Sequence, residues 1–142
     1  MRQTVLFCVV VLATLSLSGQ VKQPGKNAQT EMPDVASGKQ TYTEYCATCH
    51  GTDGKGMGPT ASVLLIPPSD LTTLAKKHGD KFPEEYVTRI VRLGKPIPAH
   101  GSVEMPIWGP VFSARDKFSE LAVQVRIKNL CAYLNTLQQK DS

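Results

Sequence analysis

Five residues, Cys46-Ala47-Thr48-Cys49-His50, put two thiols and an imidazole within one short stretch of chain. Three chemistries use such a group. A zinc site needs two further ligands, usually a second C-x-x-C or a His pair. Cys131, His78 and His100 are the residues available for that, and none of them is spaced as a partner pair. A dithiol redox motif of the thioredoxin kind follows a strand of a βαβ unit, and the chain shows no such unit. Covalent haem attachment requires His directly after the second Cys, and His50 stands there. The spacing has a chemical reason. Two thiols on successive faces of one helical turn can each add to a vinyl group at one porphyrin edge. The next residue's imidazole then lies under the ring plane, with Nε2 free for iron. Thioether links do not dissociate, so the cofactor survives where it cannot be re-supplied.

The elements that must position this group are helical. Gly38, Tyr42 and Tyr45 recur at helical spacing and predict a helix over 35–50. Glycines at 51, 54, 56 and 58 with Pro59 make a loop. A short helix or turn is expected over 60–65, ended by Pro67-Pro68, and Ser69-Asp70 can cap another over 71–77. Pro83, Glu84 and Glu85 at the start, with Arg92 and Gly94 at the end, mark a helix over 83–93. Residues 94–112, rich in Pro and Gly, are expected to be an irregular loop. The last helix is expected over 119–138, on the apolar stripe Val123, Ile127, Leu130, Leu134 and Leu137. No strand pattern emerges, so the fold class is all-α with long Gly/Pro-rich loops.

The first 18 residues read as a secretory signal peptide: Arg2, an apolar run from Val5 to Leu17, and small residues at Ser16 and Ser18. The run is short of the roughly 20 apolar residues a membrane span needs. An uncleaved leader would still tether the domain to a membrane. Cys8 lies inside the run and is expected to leave with it. Residues 19–34 form a polar, flexible leader, and the domain proper is expected over 35–142. The formal charge of +4 falls to about +3 without Arg2, and two haem propionates would lower it to about +1. So weak a field, without Lys/Arg clusters interleaved with aromatics, argues against nucleic acid as a partner. Lys76-Lys77 reads as a solvated helix surface. Aromatic residues make up only 6% of the chain, so a buried haem would supply bulk that the core otherwise lacks.

With these motifs in order, the chain resembles a bacterial class I c-type cytochrome from about residue 35 to residue 138. The resemblance rests on G-K-Q-T-Y-T-E-Y-C-A-T-C-H-G at 38–51, G-K-G-M-G-P-T-A at 54–61, P-P-S-D-L at 67–71, M-P-I-W-G at 105–109 and L-C-A-Y-L at 130–134. It implies the cytochrome c fold, with crossed N- and C-terminal helices around a single covalent haem c. It assigns the thioethers to Cys46 and Cys49 and the proximal ligand to His50. Pro59 falls where a Gly-Pro carbonyl accepts the other imidazole N–H, a bond that fixes the ring and enriches the ligand. Gly38 and Tyr42 match first-helix positions that cross the last helix near Leu130 and Tyr133.

For the sixth ligand, Met105 lies in the loop before the last helix, where a short rigid segment with Pro106 can hold sulfur against iron. Met57 is too near the attachment site. His100 is the competitor for a bis-His haem, otherwise a loop His or a propionate neighbour. His78, before Gly79, suits a helix end. A His/Met pair raises the potential relative to bis-His and leaves no open position. Leu64, Leu65, Ile66, Leu71, Leu74, Phe82, Ile90, Leu93, Ile97, Ile107 and Phe112 are expected in the haem crevice or nearby core. Trp108 is expected against a haem edge, with its N–H on a partner such as a propionate. Cys131 reads as a small buried hydrophobe. The function implied is single-electron carriage in the periplasm between redox partner proteins, with no catalytic residue of its own. The alternatives are a haem subunit of a larger oxidoreductase, and a sensor or peroxidase should the sixth ligand be labile.

Overall fold

The computed structural model describes residues 32–94 and 105–139, and the leader through Glu31, Ile97 and His100 lie outside them. The described residues form five α-helices joined by turns of 3-10 helix, with no strand among them. They are α1 (Val35–Tyr45), α2 (Ala47–His50), α3 (Glu84–Leu93), α4 (Trp108–Arg115) and α5 (Glu120–Thr136).

α1 starts where Asp34 accepts hydrogen bonds from the Ala36 and Ser37 amides, satisfying two donors that a helix start leaves free. It crosses α5 at Gly38, where a Cβ would collide with the Asn129 carbonyl and press on Tyr133. Glycine is thus what lets the two backbones touch. Beyond the crossing, the Tyr42 and Tyr133 rings pack with centroids 5.3 Å apart. The Asp34 amide donates to Asn129 Oδ1 at 2.9 Å, which pins the near end of the crossing.

The core gathers around this crossing: Tyr42, Phe112, Val123, Ile127, Leu130 and Cys131 are all 2% exposed or less. Each large apolar side chain buried there stabilises the fold by roughly 1.5–3 kcal/mol. Arg126 on α5 ties in α4 from its other end. It forms a two-pronged pair with Asp116, Nε to Oδ2 at 2.9 Å and Nη2 to Oδ1 at 2.5 Å, and lies over the Phe112 ring.

Three boundaries differ from expectation, each for a local reason. The helix over 35–50 breaks at Cys46, whose φ of −115° ends α1 and opens the separate turn α2. The stretch 71–77 forms two 3-10 turns, Leu71–Thr73 and Lys76–His78. There the Thr72 and Thr73 hydroxyls bond back to Asp70 and compete with helical backbone pairing. The expected loop over 94–112 instead yields α4 from Trp108 onward. Pro110 sits in its first turn, where a missing N–H costs no hydrogen bond.

Candidate functional site

α2 is one turn long and carries the whole motif. The His50 and Cys49 amides donate back to the Cys46 carbonyl at 2.9 and 3.2 Å, so both thiols and the imidazole issue from a single coil. The turn ends at Gly51, and the buried Tyr42 hydroxyl donates to the Gly51 carbonyl at 2.5 Å, locking the turn to α1.

The following loop folds back along it. The Gly56 amide donates to the His50 carbonyl at 2.8 Å, the Gly58 amide to Cys49 at 3.0 Å and the Thr60 amide to Thr48 at 3.0 Å. A Cβ at Gly58 would strike the carbonyls of Ala47 and Thr48, so the motif's backbone and this loop are in direct contact. Met57 is left pointing outward, 83% exposed. Thr60 Oγ1 lies 3.2 Å from Cys49 Sγ and donates to the Thr48 carbonyl at 2.9 Å.

His50 is buried, and its Nδ1 lies 2.9 Å from the Ser69 carbonyl. An N–H at Nδ1 donates to that oxygen, which leaves Nε2 as the nitrogen able to coordinate. This corrects the role expected of Pro59, which is exposed and whose carbonyl does not take this bond. The proline loop is spent on holding the motif's backbone. The oxygen comes instead from the second loop, where Pro68 packs against Gly56 and the Leu71 amide donates to the Gly54 carbonyl at 2.7 Å.

Burial, with the nearby Cys49 charge adding to it, pushes the Cys46 thiol up to about 12. At that value Cys46 stays a neutral thiol near neutral pH. Burial lowers the His50 pKa, which favours the neutral imidazole that binds a metal. Among the described residues no three His, Cys, Asp or Glu side chains gather to hold a metal ion.

Haem has a donor set that fits. Cys46 and Cys49 are unpaired thiols on one turn, and His50 presents one free nitrogen beside them. Of the described apolar residues expected around it, Leu64, Leu71 and Phe82 are half-buried. Leu74, Ile90 and Phe112 are core, whereas Leu65, Ile66, Leu93 and Ile107 are 86%, 57%, 69% and 45% exposed. Ile107 also adjoins Gly94, whose Cβ would lie 3.0 Å from Ile107 Cγ1.

Met105 is half-buried at the start of the segment leading into α4. Trp108 opens α4, edge-on to Tyr45 at 5.3 Å and stacked with Phe112 at 6.0 Å. Tyr45 immediately precedes the attachment turn, so these rings connect that turn to the Met105 segment. Sequence reasoning missed Tyr45, Thr60 and Ser69. Tyr45 had a detectable signal, an aromatic next to the motif. A backbone carbonyl such as that of Ser69 has none. Cys131 is buried, with Thr88 Oγ1 3.7 Å from its sulfur, and burial raises its thiol to about 11.

No solved structure matches the chain. Over 62 residues it is 47% identical to the thiosulfate dehydrogenase of Stutzerimonas stutzeri (strain A1501), a match covering 39% of this chain. The chain spans only 20% of that protein's length. The family model for cytochrome c oxidase, cbb3-type, subunit III matches residues 33–118. With its all-helical fold and its Cys-x-x-Cys-His turn, the chain therefore belongs to this c-type cytochrome family, whose members carry covalently bound haem c.

Proposed function

We propose that the protein is a single-electron carrier with one haem c, joined through Cys46 and Cys49 and ligated by His50 and Met105. The observation that carries the reading is the Cys46–His50 turn with His50 Nδ1 tied to the Ser69 carbonyl. Haem c supplies a reversible one-electron change at iron. The chain's residues do the rest. The two thiols fix the group permanently, and the Ser69 carbonyl keeps the imidazole in one orientation and makes it a stronger donor. The Met105 sulfur would be the second residue to hold the iron and would favour its reduced state. With His50 and Met105 both holding the iron, substrate chemistry there would be disfavoured, so the reading is of a carrier and not of an enzyme.

Residues 1–18 are proposed as an export signal, 19–34 as a leader and 35–142 as the haem domain, which places the protein in the periplasm. Its partners are redox proteins that dock briefly over a small surface. No helix among the described residues is long and apolar enough to cross a membrane.

A second reading, a haem subunit of a larger oxidoreductase, draws support from the family's description as an oxidase subunit and the relative's name as a dehydrogenase. Redox titration of the purified exported protein, with its native size measured by gel filtration, tests both. The carrier reading expects one one-electron wave, a monomer, and no carbon monoxide binding to the ferrous form. A stable co-purifying complex would favour the subunit. Ready carbon monoxide binding would overturn the closed site and favour a sensor or peroxidase.

A further inference from the structure

The Ser69 carbonyl does not hold its place through its own side chain. Ser69 is an exposed loop residue, and its side chain has no part in the bond to His50. The carbonyl is held between Pro68, which packs against Gly56, and the segment that follows, whose Leu71 amide donates to the Gly54 carbonyl at 2.7 Å. Asp70 Oδ1 accepts from the Thr72 amide at 2.8 Å and from the Thr72 hydroxyl at 2.6 Å. That segment is in turn gripped by two residues more than sixty positions away, just past the end of α5. The Gln138 side chain accepts from the Ala75 amide at 2.8 Å and donates to the Leu71 and Leu134 carbonyls at 2.9 and 2.8 Å. Its amide thus uses its oxygen and its nitrogen together. The Gln139 amide donates to the Thr72 carbonyl at 2.9 Å, and its side-chain nitrogen to Thr72 Oγ1 at 3.0 Å. The chain of contact runs from Gln138 and Gln139 to residues 70–75, then to the Ser69 carbonyl and His50 Nδ1.

We infer that Gln138 and Gln139 are positioning residues for the axial histidine: by clamping residues 70–75 they set the hydrogen bond from His50 Nδ1 to Ser69 and so tune the iron's reduction potential. The inference rests on the proposed role of His50 as a haem ligand. A well-placed carbonyl draws the Nδ1 proton toward itself and makes the imidazole a more electron-rich donor. That stabilises the oxidised metal, so loosening the clamp raises the potential. A glutamine that merely capped α5 would affect stability and leave the potential alone.

The test uses the matured haem protein with Gln138→Ala, Gln138→Met and Gln139→Ala. Gln138→Met keeps the side chain's length and discards its hydrogen bonds. Gln124→Ala is the control, an exposed α5 residue bonded to Glu120. Two quantities are read: the reduction potential, and the exchange rate of the His50 ring N–H in the diamagnetic ferrous protein. Gln138→Ala and Gln138→Met are expected to shift the reduced-to-oxidised ratio at fixed ambient potential about three- to tenfold toward reduced, tenfold being 59 mV for one electron. His50 N–H exchange is expected to quicken in parallel, Gln139→Ala to give a smaller change in the same direction, and Gln124→Ala to give none. Should Gln138→Ala fail to fold, Gln139→Ala carries the same test. Variants that lose thermal stability yet keep the wild-type potential and exchange rate would overturn the inference while leaving His50 ligation intact. A wild-type protein whose haem is not ligated by His50 would overturn both.

Discussion

The two sides of the candidate haem site are built differently. On the His50 side, directional hydrogen bonds fix individual atoms: Nδ1 on the Ser69 carbonyl, and the α2 backbone on the loop amides of Gly56, Gly58 and Thr60. On the Met105 side, ring packing positions a whole helix. Trp108 and Phe112 lie against Tyr45, and Arg126 covers Phe112. Hydrogen bonds specify an atom to a few tenths of an ångström, whereas apolar contact places an element and tolerates small slides. The first side suits a permanent attachment. The second places α4 and, through it, the Met105 segment that leads into it.

The largest effect should come from the attachment side. Cys46→Ser with Cys49→Ser is expected to abolish covalent haem, read as loss of the haem mass from the intact protein. A covalent adduct that persists would remove these residues from the site. Next, Met105→Ala should keep the haem but lower the potential and open the iron to added carbon monoxide. Met57→Ala should leave both unchanged, since Met57 is 83% exposed on the proximal loop. Equal effects from the two methionines would erase the contrast drawn between them.

The helix crossing beneath both sides comes third. Gly38→Ala should destabilise the protein by about 2–3 kcal/mol in urea unfolding, because the new methyl must displace the Asn129 backbone. The clamp behind α4 should show a smaller and pH-dependent effect. The Arg126 guanidinium, hydrogen-bonded to Asp116, holds that carboxyl below its ordinary 3.8. A carboxylate depressed in the folded state stabilises above its unfolded pKa, and that contribution is lost as pH falls through the folded value. Arg126→Met should therefore cost about 2 kcal/mol at neutral pH and progressively less in acid. A cost independent of pH would mean that the packing over Phe112, not the charge pair, secures α4.

The legibility of the sequence follows the same division. The motif at 46–50 and the α5 stripe were readable because each is encoded by side chains at fixed local spacing. The crossing at Gly38 was readable through family resemblance, and the structure supplies its cause in the Asn129 carbonyl. α4 was hidden because Gly109 and Pro110 look like loop residues, although a proline in a first helical turn is free of cost. The partner of His50 was misassigned to Pro59 for a deeper reason. Every residue carries a carbonyl, and only the way Gly54, Gly56 and residues 138–139 gather around 69–75 selects Ser69.

The optical spectrum of the purified, exported protein in ferric and ferrous states, recorded before and after acid-acetone extraction, tests the central claim most directly. A c-type spectrum that survives extraction, with the weak far-red band of methionine sulfur on ferric iron, is the predicted result. Haem that extracts freely, or none bound in the presence of the maturation machinery, would contradict covalent attachment at Cys46 and Cys49. A covalent haem without the far-red band would contradict Met105 ligation.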